Sequence, residues 1–173
     1  TRHETTPAYP DHAWHGRATV LENVAVAHAT YRIRLAASEL AQRILPGQFL
    51  MLRLTDQDDP LLGRPFALYD VVTDSAGNDH AIDVVYLVVG RGTSRLAALP
   101  AGAQVDLWGP LGNGFAPQPT EHLIMVAGGI GQTPFLALGR EMLGERQYGL
   151  PPRDVTTAKR VTLCYGARTS AYL

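Results

Sequence analysis

Cysteine is almost absent: Cys164 stands alone in 173 residues, which excludes an internal disulfide and any all-cysteine metal site within this chain. Long apolar runs are missing as well. The longest, residues 84–89 and 123–127, fall far short of the roughly 20 residues a membrane helix needs, and no secretory apolar segment opens the sequence. Neither sign of charge dominates. Fifteen Lys and Arg against sixteen Asp and Glu leave a formal net charge of −1, with the basic residues scattered, so nucleic acid and anionic membranes are poor partners. Zinc-like spacing is absent too: His3, His12, His15, His28, His80 and His122 read as surface residues, and no metal site is expected. What remains is 46 % hydrophobic and 18 % charged, too apolar for a disordered chain. The expectation is a soluble, cytoplasmic, globular protein.

From Trp14 the pattern is one of short apolar runs with period-two alternation. In TYRIRLAA, Tyr31, Ile33 and Leu35 share one face and Arg32 and Arg34 the other. Residues 14–26, 49–55, 66–73, 81–89 and 103–109 continue the series, separated by turn-rich segments that include the acidic loop DQDDP. Six such strands predict a small antiparallel barrel of the Greek-key kind. A short helix is expected over residues 93–99, with Thr93 or Ser94 as its N-cap. GPLGNGFAPQPTE (residues 109–121) then marks a boundary, and the grammar changes. HLIMVAGG reads as a strand buried on both faces, residues 133–148 as an amphipathic helix, and RVTLCYGA as a second buried strand. The expected organisation is a flexible arm at residues 1–13, a barrel domain at 14–117 and a partial α/β domain at 118–173. A single βαβ unit leaves a face and an edge unburied, and no Met begins the chain, so a piece of a longer protein is expected.

Three segments can carry chemistry. In VAGGIGQTPF (residues 126–135) a strand ends in Gly128, Gly129 and Gly131, and a helix is expected to open at Thr133–Pro134. Glycines let backbone approach a pyrophosphate, free amides at a helix start hold its charge, and proline suits the first turn. Pro134 stands where the third glycine of the dinucleotide fingerprint falls, and no acidic ribose partner is evident about twenty residues on, so NAD and NADP stay open. A tight βα turn without a ligand is the plainer alternative. In RPFAL, Arg64 beside Pro65 can present a guanidinium to a phosphate, and the extended backbone of Phe66, Ala67 and Leu68 can serve a flat heterocycle. An exposed arginine ahead of an edge strand is the alternative. VYLVVGRGTS repeats the strand, glycine, helix-start pattern, with an ordinary capped helix as its plain reading. Two phosphate-grade features in a barrel, followed by one in an α/β unit, point to two nucleotides meeting between two domains.

PGQF, RPFAL, YLVVGRGT, GPLGNGF, VAGGIGQTP and CYGAR, in this order, make the chain resemble the ferredoxin–NADP reductase-like flavoproteins. Within them it is most similar to the electron-transfer subunits of bacterial dihydroorotate dehydrogenases. The resemblance runs from about Ala18 to the end. It implies FAD in the barrel, with Arg64 at its phosphates, Pro65, Phe66, Ala67, Leu68, Val85, Tyr86 and Leu87 along the isoalloxazine and ribityl, and Gly92 and Thr93 at the pyrophosphate. It implies NAD(H) on Gly128, Gly129, Ile130, Gly131, Thr133 and Pro134. Two positions depart from the pattern: Ala67 stands where Ser or Thr is usual and Leu87 where Arg is usual in this branch, so a hydroxyl and a charge toward the flavin are missing.

The implied reaction is hydride transfer between nicotinamide and flavin, with no acid–base residue essential. The implied partner is a catalytic flavoprotein subunit of pyrimidine biosynthesis. A 2Fe–2S centre is implied for the complete protein, but its cysteines are absent from this chain. Two other readings stay open: an electron-transfer subunit of a ferredoxin-dependent transhydrogenase or hydrogenase, and a flavin-binding docking module without turnover. Cys164 reads as a small core residue, and Trp108 and Phe115 as packing residues.

Overall fold

Alternation of apolar and polar side chains builds the first sheet as expected. The computed structural model describes residues 13–55 and 62–172. The expected arm, apart from Ala13, the acidic loop at residues 56–60, His3 and His12 lie outside the described residues. Strand β1 (Trp14–Ala27) pairs antiparallel with β2 (Thr30–Ala36). In β2, Ile33 and Leu35 are buried while Arg32 and Arg34 turn to the carboxylate of Asp83. Five more strands follow: β3 (Phe49–Leu54), β4 (Arg64–Ala67), β5 (Asp70–Thr73), β6 (Asp79–Leu87) and β7 (Gln104–Leu111).

Their order in the sheet is β4-β3-β7-β1-β2-β6-β5, with every neighbour antiparallel. The two ends of that order, β4 and β5, are separated in the chain only by Leu68 and Tyr69. Two residues reach at most about 10 Å, so the sheet must curl until its edges approach. The result is the curled antiparallel barrel, with Val20, Ile33, Leu35, Leu50, Ile82 and Leu107 fully enclosed. The single strand expected over residues 66–73 is therefore two strands. Leu68 N–H donates to Gln48 O on the β3 side, and Tyr69 N–H donates to Asp83 O on β6, so the chain changes partner between them.

Helices differ more from expectation. A short helix that the sequence reading missed, α1 (Ser38–Ala41), buries Leu40 and Ala41. Helix α2 (Arg91–Ala97) starts two residues earlier than expected, with Gly90 as N-cap, so Thr93 lies inside its first turn. The helix expected over 133–148 is the shorter α3 (Phe135–Met142), preceded by a 3-10 turn, Gly129–Gln132. Gly144, at φ +71, ends it: Glu145 N–H reaches Arg140 O and Gly144 N–H reaches Glu141 O, a Schellman closure that a residue with a Cβ adopts only under strain. Among the described residues no helix is long and apolar enough to cross a membrane.

Strands β8 (His122–Gly128) and β9 (Arg160–Gly166) pair in parallel, and α3 covers one face through Met125, Leu138 and Met142. The other face is open, so neither strand is buried on both sides: Ile124 and Val126 are exposed, as is Cys164 paired with Val126. Cys164 is thus not a core residue. Phe115 does pack, against Phe135 with ring centroids 6.0 Å apart, whereas Trp108 is half exposed on the outer side of β7. His80 and His122 are half-buried rather than at the surface; His122 Nε2 lies 2.9 Å from Thr162 Oγ1.

The α/β lobe is anchored to the barrel by charge. Asp70, at the start of β5, accepts from Tyr148 Oη at 2.7 Å and pairs with Arg140 of α3, while Arg146 pairs with Asp79 at the start of β6. Tyr148 is enclosed in the barrel core. Burial first, and donation to Asp70 second, push the Tyr148 hydroxyl above the ordinary tyrosine range. The native hydroxyl stays neutral when an unfolded tyrosine ionises near about pH 10. Its stabilisation is therefore full below that pH and is lost as pH rises through the folded value. The stability difference between the wild type and Tyr148→Phe, followed by urea unfolding, is expected to be constant from about pH 6 to 9 and to shrink above about pH 10. A difference independent of pH up to about 11 would mean that the hydroxyl is solvated.

Candidate functional site

β4 and β6 end beside α2, and between them lies a cavity of about 580 Å³. Its wall brings together Arg64, Pro65, Phe66 and Ala67 of β4 with Val85, Tyr86 and Leu87 of β6, and Gly92 and Thr93 of α2. Nine of the ten residues expected at FAD are thus neighbours. The tenth, Leu68, has its side chain in the barrel core. Tyr86 forms the floor. Its ring packs on Phe66 and Tyr31 at 5.8 and 5.9 Å, and its hydroxyl donates to Asn23 Oδ1, whose amide nitrogen donates to Leu96 O and Leu99 O at the end of α2. Burial pushes that hydroxyl above the usual tyrosine range, so it remains a neutral donor.

Two of these side chains already have hydrogen-bond partners within the chain. Thr93 Oγ1 accepts from Val89 N–H at 3.0 Å and Gly90 N–H at 3.2 Å, and donates to Gly90 O at 3.0 Å. Its hydroxyl therefore holds the residue 88–90 turn in shape. Arg64 is exposed and donates to Leu62 O at 3.0 Å and Gly63 O at 3.3 Å, which aims the guanidinium along the cavity rim.

A second cleft, of about 870 Å³, adjoins the first. Gly128, Gly129 and Ile130 border it from one lobe and Gly166, Ala167 and Arg168 from the end of β9; Tyr69 and Arg32 border it from the barrel. Val85, Leu87, Val89 and Ile130 line both spaces, which meet along these residues. Of the residues expected at NAD, Gly128 and Gly129 line only the second cleft and Thr133 only the first, while Gly131 and Pro134 line neither. The sequence reading passed over Val89, Gly90 and Arg91, although Gly90–Arg91 lie inside the strand, glycine, helix-start pattern that signalled Gly92. Nothing in the local sequence signalled Tyr69, whereas Arg168 closes the CYGAR motif, to which no site role was given.

The glycines test whether nucleotides fit here. A Cβ on Gly47 would meet Phe115 Cδ2 at 2.6 Å, so that glycine is required by packing. Added at Gly90, Gly128, Gly129 or Gly131, a Cβ meets nothing within 4 Å. Packing within the chain leaves these positions room for side chains, and their absence keeps backbone accessible to a ligand, as phosphate-binding turns require. Only Gly129 also needs its positive φ, +55.

A curled barrel with a cavity beside a glycine turn and helix start, abutting a parallel glycine-turn lobe with which it shares apolar lining, is the architecture of a flavin-dependent oxidoreductase. Matching the oxidoreductase FAD-binding domain over residues 17–115, the chain belongs to that family. Among curated relatives, the electron transfer subunit of dihydroorotate dehydrogenase B (NAD(+)) from Shouchella clausii is 34 % identical over 131 residues, 74 % of this chain and 49 % of that protein. Its counterpart from Desulforamulus reducens is 36 % identical over 126 residues, 72 % of this chain and 47 % of the relative. The chain thus spans about half the length of the curated relatives it matches. Among solved structures, the ferredoxin reductase in carbazole 1,9a-dioxygenase superposes with a TM-score of 0.72 at 23 % identity, over 96 % of this chain and 46 % of that one. The NADH-dependent reduced ferredoxin-NADP oxidoreductase gives 0.67 at 25 %, over 90 % and 50 %.

Proposed function

We propose that the chain binds FAD in the first cavity and a pyridine nucleotide in the second cleft. It would pass electrons between that nucleotide and a partner catalytic subunit, in the manner of a dihydroorotate dehydrogenase electron-transfer subunit. The observation that carries the reading is the shared lining. Because Val85, Leu87, Val89 and Ile130 border both spaces, the two adjoin, and rings bound in them would be brought next to each other beside these apolar side chains. The named relatives support the choice of partner.

FAD, when bound, supplies the redox chemistry. The chain's residues position and shield. Arg64 would offer its guanidinium to the phosphates, Tyr86 and Phe66 would hold the floor flat, and Thr93 would keep the Val89–Gly90 turn in shape. Gly128 and Gly129 would admit the nucleotide phosphates. Ala67 and Leu87 offer no polar side-chain group toward the flavin, so orientation there falls to backbone groups. Arg32 and Arg168 line the second cleft and, among the described residues, no Asp or Glu does, so the test includes both NADH and NADPH.

The purified chain, saturated with FAD, is expected to show a flavin absorption spectrum that bleaches on anaerobic addition of NADH or NADPH. Retained FAD without bleaching would confine its function to the barrel and favour a docking module. Failure to take up FAD at all would overturn the proposal.

A further inference from the structure

We propose that Asp70 is a positioning residue that, through Arg140 and Tyr148, sets where the glycine turn of the α/β lobe stands over the cavity wall of the barrel. The inference rests on the two-cleft reading above and assigns a residue that governs the alignment of the two clefts.

Asp70 is buried, yet its carboxylate is fully engaged. Oδ1 accepts from Val71 N–H at 2.9 Å and from Tyr148 Oη at 2.7 Å, and Oδ2 takes the Arg140 guanidinium. Apolar contacts between two lobes can slide; a carboxylate fixed to its own strand by the Val71 amide and held by two donors of the other lobe restricts both distance and angle. The carboxylate is buried but the Arg140 side chain is 42 % exposed, so the pair is a modest source of net stability and its distinctive contribution is geometric.

Both ends of the linkage lead directly to the clefts. On the barrel side, Asp70 follows Tyr69, which lines the second cleft, and stands three residues beyond Ala67 in the wall of the first. On the other side, Arg140 lies in α3, a rigid helix whose start is joined to the turn carrying Ile130 and Thr133, both in the wall of the first cavity. Any shift of Arg140 relative to Asp70 is therefore carried along the helix axis to Ile130. The Arg146–Asp79 pair, at the start of β6, is a second attachment that opposes rotation about the first.

The test uses the FAD-loaded chain with Arg140→Gln and the charge-retaining Arg140→Lys. Arg140→Gln is expected to leave FAD content unchanged while amide exchange across residues 128–134 accelerates about 10-fold and that of β6 does not. The limiting rate of flavin reduction by pyridine nucleotide should fall about 10-fold, with the nucleotide Kd altered less than about 3-fold. Arg140→Lys should recover part of both effects. Unchanged exchange across 128–134 in Arg140→Gln would overturn the proposal, as would parallel loosening of β6 and loss of FAD, the mark of a merely structural pair. If the wild-type chain holds FAD but no pyridine nucleotide reduces it, the two-cleft reading fails separately, and the exchange data still decide the role of Asp70.

Discussion

Asp83→Ala is expected to lower the melting temperature by about 6–12 °C, corresponding to about 3 kcal/mol in a chain of this length. Asp83 lies on β6 with its carboxylate 6 % accessible, and it accepts from Arg34 Nε at 2.8 Å, from the second arm of the same guanidinium at 2.9 Å, and from Arg32 at 3.3 Å. Donation to Asp83 pushes the Arg34 pKa upward, so that guanidinium stays charged under all ordinary conditions. Removing the carboxylate leaves two guanidinium groups on one strand with, among the described residues, Glu22 to share. Losing one partner of a buried pair costs about 3–5 kcal/mol, and the partial exposure of the arginines places this case at the lower edge. Asp70 faces Asp83 across the β5–β6 pair, but Arg140 and Tyr148 already occupy it, so little repulsion is relieved. Urea unfolding at fixed FAD concentration checks the value; a loss below about 1 kcal/mol would mean that water, not Asp83, satisfies the arginines.

Arg64→Ala is expected to weaken FAD binding about 10- to 100-fold, since a charge-assisted hydrogen bond contributes about 1.5–3 kcal/mol. The side chain is exposed and, among the described residues, is held by the carbonyls of Leu62 and Gly63, so its removal should leave stability without FAD nearly unchanged. Arg64→Lys keeps the charge but loses the planar fork, and an intermediate affinity follows. Quenching of flavin fluorescence on titration of the FAD-free chain measures both affinities against the wild type, and urea unfolding without FAD measures the stability. A change under about twofold for Arg64→Ala would place the phosphates elsewhere along the wall.

Much of this site was legible because its residues follow one another in the chain. Arg64 through Ala67 and Val85 through Leu87 are strand segments with periodicity, and the glycines of residues 128–131 punctuate a strand and a helix. What escaped is what only the curl of the sheet brings together. The run at 66–73 carries an unbroken strand pattern, and nothing in it says that the chain leaves β3 for β6 between Leu68 and Tyr69. PGQF and GPLGNGF each read as a turn, but not that Gln48 Nε2 would donate to Gly112 O or that Gly47 would lie against Phe115. The apolar spacing of 133–148 continues past Gly144, where backbone conformation rather than hydrophobicity ends the helix. Cys164 was misread for a related reason: a continuous apolar strand is buried on both faces only where two layers cover it, and α3 covers one.

Tyr148 has a consequence for cooperativity. It stands some thirty residues beyond the proline-rich segment that divides the sequence, yet it fills the interior of the barrel beside Ala137. The visible seam in the chain is therefore not a seam in the folding unit. A barrel cut at that seam would open a void in its own core and strand the Asp70 carboxylate, so melting of the second lobe and loosening of the first become a single event rather than two.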